Sequence, residues 1–497
     1  MKKVSAILAS LLASSLVFAS SCQAAPVSHK TVTMGKSSMV NLKVAFLTLG
    51  VTPAHMSLVQ QKLSAYAQKK IGATITLEPI SVSAYANQMN LTMASNQQLD
   101  LAMISGNDMG NYVARGYLTD ITAVLKNYGK GITSALGTAY LKAGQVNNKQ
   151  YVVASVRDMA ASYGITLRKD LVTKYKLDFS KVKTLSDLTP ILKKLSAEKN
   201  IAPIGPTLPA QPFLSQYLTY DKLGDGYGVL LNRGQTTKVV DWYETSEYTN
   251  DVKLMRQWYQ AGIIYKDSST TQESDATLVK EGKIAGYFNP QKPGIAEQDS
   301  AGGITMAAYQ VVAPFATTSS INSINWGIPH NCGHLKQAMQ FLNLMYSDST
   351  VVNLLDYGVQ GTDYVLTSGS KNVINFPKGI TATNSKYNLG LGWEFGNQLI
   401  SYVWKGTSPD IWSQMKKFNS TAIHSKALGF VFDSSSVKTE EANVANVVKQ
   451  YGVALECGAV DPNTYLPQFK SALQNAGINT IVKAKQTQLD KWMKTTK

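Results

Sequence analysis

His330, Cys332 and His334 crowd into one short run, and imidazole and thiolate groups are the usual ligands of zinc. The run follows Pro329, opens a helical pattern and completes no zinc spacing, so it reads as structural and no metal is expected. Asp225-Gly226 has the turn of a calcium loop without its series of oxygen ligands. The chain carries no Gly-x-Ser-x-Gly elbow and no phosphate-binding loop. These residues favour binding over catalysis and call for no cofactor.

The elements that must position a site alternate along the first half. A β-rich run over 41–47 ends at Gly50, and 57–70 has helical spacing with Leu58, Leu63 and Tyr66 apolar. A second β-rich run over 73–83, a helix over 85–94 and a buried strand over 99–104 follow. Strand-helix-strand order with short links predicts a mostly parallel sheet covered by helices. Ligands of such sheets sit beyond the C-terminal strand ends. Gly50-Val51-Thr52 and Ser105-Gly106-Asn107-Asp108 are therefore candidate ligand loops, against the plain alternative of ordinary turns.

A second α/β region starts near Tyr163. Thr184-Leu185-Ser186-Asp187 predicts a capping box ahead of Pro190, and 252–259 an amphipathic helix ending at Gly262. Strands are expected over 282–288 and 307–313, the latter broken by Pro314, and a helix over 333–346. Val437, Val444, Val447, Val448 and Tyr451 lie at helical spacing, and 478–493 closes the chain as a helix. Trp258 and Trp492 fall inside helical patterns and read as core.

The start of the chain speaks to compartment. Lys2 and Lys3 precede an apolar stretch, 4–18, too short for a membrane span, so 1–21 reads as a signal peptide. Phe18-Ala19-Ser20-Ser21-Cys22 resembles a bacterial lipobox, with Ala19 where Leu is usual, which makes Cys22 the expected lipidated N-terminus. Ordinary signal-peptidase cleavage is the alternative. Residues 22–39, rich in Ser, Thr and Lys, suit a flexible tether. The formal charge of +16 is spread thinly, without a basic run or nucleic-acid motif, and suits a surface facing an anionic cell wall. Hydrophobic residues at 44%, with 7 Trp and 25 Tyr, supply a folded core. Cys332 and Cys457 are left after Cys22 and could pair, but three cysteines do not make a disulfide scaffold.

Several phrases resemble a known family. Tyr163-Gly164-Ile165-Thr166-Leu167-Arg168-Lys169-Asp170-Leu171 and Trp258-Tyr259-Gln260-Ala261-Gly262 are similar to segments of the family-1 extracellular solute-binding proteins, relatives of maltose-binding protein. Trp393-Glu394-Phe395-Gly396-Asn397-Gln398, Ala427-Leu428-Gly429-Phe430, Gln450-Tyr451-Gly452, Val460-Asp461-Pro462 and Gln488-Leu489-Asp490-Lys491-Trp492 resemble a Gram-positive lipoprotein subgroup of carbohydrate importers. That subgroup shares a C-terminal domain of uncharacterised role.

The resemblance implies an α/β, type II periplasmic-binding-protein-like fold of two lobes joined by hinge crossings. It implies a sugar in the cleft, delivery to ABC permease subunits and no catalysis. Lobe one is expected over 40–157 plus 314–350, lobe two over 158–313 plus 351–497, with crossings near Asp158, Pro314 and Val351. Sugar capture needs planar polar groups for paired hydroxyls and rings for apolar C–H faces. Thr52, Asn107, Asp108, Asp158, Asn289 and Gln360 are the polar candidates, and Tyr163, Tyr287, Trp326 and Trp393 the stacking ones. The expected partners are an oligosaccharide, the permease and the membrane through the lipid anchor, with no nucleic acid. A secreted glycosidase, which needs two carboxylates about 5 to 9.5 Å apart, and a surface adhesin are the competing classes.

Overall fold

A computed structural model describes residues 39–495, apart from Asn96, Ala210 and the side chain of Asn107. The expected leader and Cys22 lie outside the described residues.

The first lobe opens as β1 (Val40–Thr48), α1 (Met56–Ile71), β2 (Ala73–Ser81), α2 (Val82–Ala94), β3 (Leu101–Ser105) and α3 (Gly106–Ala114). Residues 101–104 of β3 are all buried, as a strand covered on both faces should be. The helix α1 buries Met56, Val59, Leu63 and Ala67 along one stripe and ends at Gly72, whose φ of 69° forms a left-handed cap. β4 (Val152–Ala154) precedes the passage to the second lobe.

That lobe holds β5 (Ala161–Arg168), α4 (Ser246–Gln260), β6 (Gly286–Pro290) and β7 (Met306–Ala316). The chain then returns through β8 (Ile324–Gly327), α5 (Leu335–Ser347), α6 (Ser349–Tyr357) and α7 (Ile411–Thr421). It rejoins the second lobe at β9 (Ile423–His424) and ends in α8 (Lys438–Glu456), α9 (Pro462–Ala476) and α10 (Ile478–Thr495).

The first sheet runs β2-β1-β3-β8-β4 and the second β9-β7-β5-β6. β1 is parallel to β2 and β3, from Val40↔Ala73 to Thr48↔Ser81 and from Val44↔Leu101, while β8 is antiparallel to β3 and β4. In the second sheet β5 is antiparallel to β6 and β7, and β9 is parallel to β7. Each sheet has its own core. One contains Phe46, Leu63, Trp326 and Phe341, the other Ile165, Trp258, Phe288 and Phe469. The fold is a two-lobed α/β fold.

Several expectations need correction. β7 is not broken at Pro314: Val312 pairs with Tyr163 and Phe315 with Ala161, so Ala313 and Pro314 share a bulge, where a missing N–H costs no ladder bond. Thr184 makes no capping box. Asp187 instead accepts from the N–H groups of Lys183 and Thr184, and a 3-10 turn, Ser186–Leu188, precedes the helix Thr189–Leu195. The return segment 314–350 ends too early, because Val351, Leu355, Tyr387, Leu391 and Phe395 bury their side chains in the first core. The third passage falls where β9 joins the second sheet, not near Val351. Cys332 and Cys457 are free thiols, one packed against each core, and do not pair. Among the described residues no helix is long and apolar enough to cross a membrane.

Candidate functional site

Side-chain and backbone hydrogen bonds lace the three passages between the lobes together. Asn419 donates from Nδ2 to Arg157 O at 2.6 Å and accepts from Met159 N at 2.9 Å. Ser320 donates to Met159 O at 2.9 Å, and Ser425 N reaches Ala316 O at 2.9 Å. The Arg157 guanidinium donates to Ser323 Oγ on the second passage and to Asp158 Oδ1. Asp158 Oδ2 faces Lys292 Nζ of the second lobe at 3.0 Å. Burial opposes a charge on Asp158, yet Arg157 and Lys292 hold its carboxyl below the usual range. Both oxygens of this candidate are therefore engaged within the protein, as part of the hinge. A pocket of about 290 Å³ opens beside it, lined by Gln291, Lys292, Gly294, Glu297, Gln310 and Phe418.

At the end of the first sheet, Gly106 starts α3 hard against the second passage. Its N–H donates to Ser323 O, and a Cβ there would meet Asn322 O at 2.2 Å. Asp108 thus lies in the first turn of α3, half-buried, with its carboxyl pKa raised by burial. Asn107 lies in the same turn. Thr52 is exposed just past β1, beside Val51, which is 92% exposed. Buried Glu394 accepts from Leu47 N at 2.9 Å near the end of β1, and its carbonyl accepts from Ser155 Oγ at 2.7 Å and Trp326 Nε1 at 2.6 Å. Burial pushes the Glu394 carboxyl well above the usual range. Its neighbour Trp393 is partly exposed. Because β1 and β3 run parallel and Glu394 bonds Leu47 near the end of β1, Thr52, Asp108 and the backbone of Trp393 lie toward one end of the first sheet. Gln360 is exposed in a turn tied to the start of α1, where Asp363 Oδ1 lies 2.6 Å from His55 Nδ1.

The remaining candidates are drawn inward. Trp326 is fully buried because β8 lies between β3 and β4, and its ring stacks near Phe395. Tyr287 is buried with Leu278, Val279, Ile284 and Met306. Asn289 is buried with both ends engaged: Oδ1 accepts from Thr166 and Gln291, and Nδ2 donates to Asp299 at 2.9 Å. None of these three presents a free face to a ligand in this conformation. Tyr163 is partly exposed, with its ring against Phe315. Arg157 and Lys292 are not among the sequence candidates because nothing local marks them, and Glu394 lies in a phrase that carries the family resemblance without being a site candidate. Among the described residues no three metal-ligating side chains converge, His330 to His334 included.

Two α/β lobes, a hinge of three laced passages and polar and aromatic groups at the strand ends define a hinge-type ligand-binding protein. The chain belongs to the family of bacterial extracellular solute-binding proteins, whose pattern matches residues 62–361. Residues 426–494 match a domain of unknown function, DUF3502. A carbohydrate ABC transporter substrate-binding protein of Streptococcus pneumoniae serotype 4 is 26% identical over 463 residues, 90% of each chain. The N-glycan transport solute-binding protein NgtS of Streptococcus pneumoniae shares the fold at 24% identity, covering 92% of this chain and 100% of that one with a TM-score of 0.80. NgtS in complex with Man5GlcNAc matches at a TM-score of 0.66, with 24% identity and coverage of 92% and 99%.

Proposed function

We propose that this protein captures an oligosaccharide outside the cell and hands it to the permease of an ABC importer, from the outer face of the membrane where a lipid on Cys22 holds it. The observation that carries this reading is the likeness along 90% of the chain to a carbohydrate ABC transporter substrate-binding protein. Trp393 offers a ring for a sugar face, Asp108 and Thr52 offer oxygen partners for hydroxyls, and Tyr163 of the second lobe and Gln360 are further candidates. Asp158 acts in the hinge rather than on the sugar. No catalytic step is assigned.

A thermal-shift screen against a glycan panel that includes Man5GlcNAc tests the reading, because ligand at about 100 times its Kd adds roughly 2.7 kcal/mol to stability. The bound sugar should then shrink the radius of gyration in solution scattering. A panel that leaves the melting temperature unmoved overturns the carbohydrate reading, and released hydrolysis products would turn it toward a glycosidase.

A further inference from the structure

We propose that the C-terminal domain, 426–494, is a clamp in which Glu456 of α8 positions the turn Phe213–Gln216, which follows the chain's exit from the second sheet at the hinge end of β6. In this role it sets ligand affinity without touching the ligand. The affinity clause rests on the functional reading above; the positioning clause does not.

The location of that exit follows from the pairing before it. Ala202 and Gly205 bridge in parallel to Ile284 and Tyr287, and Thr207 Oγ1 donates to Phe288 O. The stretch 202–207 therefore runs alongside β6 toward the same end. β6 stops at Pro290, two residues before the lysine that meets Asp158 in the hinge. Thr207 and Leu208 therefore leave the sheet at the hinge end of β6. Leu208 there is exposed.

Among the described residues no strand holds that exit. Leu214 N–H instead donates to Glu456 Oε2 at 2.8 Å, and Glu456 Oε1 accepts from Tyr248 Oη on α4 at 3.2 Å. Glu456 is buried, so its carboxyl bridges the 3-10 turn Phe213–Gln216, α4 and α8 away from water. One turn earlier α8 carries Gly452, where a Cβ would stand 3.6 Å from Pro212 Cγ. The domain grips the same stretch further on. Lys485 of α10, fully buried, donates to Asp225 Oδ1 and to Gly228 O at 3.3 Å. A leucine in place of Glu456 would fill similar space but leave the Leu214 N–H buried without a partner. A glutamine would keep both contacts, its carbonyl accepting from Leu214 and its amide donating to Tyr248.

Hydrogen exchange of the amides in 205–216 and calorimetry with Man5GlcNAc, both on the full chain, test the clamp. Glu456→Leu should speed exchange at Leu214 and its neighbours about tenfold and raise Kd about tenfold, while Glu456→Gln keeps both near the parent. Gly452→Val, which pushes methyl groups at Pro212, should act like Glu456→Leu and decides the matter if the latter does not fold. Leu489→Ala, in the far part of the same domain, should lower the melting temperature while leaving exchange in 205–216 and Kd unchanged. Unaltered exchange in 205–216 with Glu456→Leu or Gly452→Val overturns the clamp, and faster exchange with an unchanged Kd overturns its link to the cleft. If the parent itself binds no glycan, the functional reading fails while the exchange arm still decides the clamp.

Discussion

Asp158 Oδ2 lies 3.0 Å from Lys292 Nζ, and its other oxygen takes the Arg157 guanidinium, so one carboxylate ties the first passage of the hinge to the second lobe. Such a pair contributes only when its geometry is held, and here the second passage holds it through Ser323. Asp158→Asn and Lys292→Met should each destabilise the protein by about 1 kcal/mol, and the double variant by less than their sum. Urea denaturation of the four proteins measures the coupling. Strict additivity would mean that the pair holds nothing.

The binding face makes a second prediction. Trp393 is partly exposed, and Asp108 is half-buried with no cation lowering its pKa. A micromolar complex is worth about 8 kcal/mol, so one ring or one charged hydrogen bond, about 1.5 to 3 kcal/mol, is a visible share. Trp393→Ala and Asp108→Ala should each weaken binding of the sugar identified in the screen about tenfold or more, with unchanged melting temperatures. Tyr287→Phe, which removes only a buried hydroxyl that meets Asp299, should bind as the parent does. Parent-like calorimetry for both Trp393→Ala and Asp108→Ala would move the site elsewhere in the cleft.

The first lobe was legible because its strands and helices alternate locally, and period and turn residues mark each element from Val40 to Ser105, whereas α3, which starts at the expected loop 105–108, was not. The end of the first sheet was legible for the same reason, which is why Thr52 and Asp108 fall on it. The third passage was not, because nothing local at Val351 or His424 says which core the neighbouring apolar residues join. Trp326 looked like a ligand after a turn, but its strand inserts between two strands from far away in sequence, which buries it. Asn289 was marked by its type alone, and only the tertiary structure supplies Thr166 and Asp299 as its partners. Arg157, Lys292 and Glu456 were missed for that reason too: each acts through a partner in another segment.

Residues before Met39 carry the third prediction. The run Ala19-Ser20-Ser21 ahead of Cys22 supports diacylglyceryl transfer to the thiol. Cys22→Ser should move the protein from the membrane fraction to the medium, as followed by immunoblot of the two fractions. Retention of the serine variant on the membrane would rule out a lipid on this residue as the anchor.

The last prediction concerns pH. Burial raises the Glu456 carboxyl to about 8 from an ordinary 4.5, and burial with nearby Glu247 raises Asp251 to about 7. A group whose folded pKa exceeds its unfolded one keeps a proton that the unfolded chain has lost, so stability is fully present below the unfolded pKa and falls as pH rises through the folded one. Each such group can remove up to about 1.4 kcal/mol per pH unit inside that window. Asp158 works in the opposite sense, since its lowered pKa gives stability that is lost only in acid, below the ordinary carboxyl range. The melting temperature should therefore be higher near about pH 5.5 than near about pH 8.5. Glu456→Gln, which cannot titrate yet keeps both hydrogen bonds, should flatten that slope without lowering stability at the alkaline end. Calorimetric scans of the two proteins across this range decide it. A parent whose melting temperature rises from about pH 5.5 to about 8.5, or a variant with the parent's slope, would show that Glu456 is not held protonated in the folded chain.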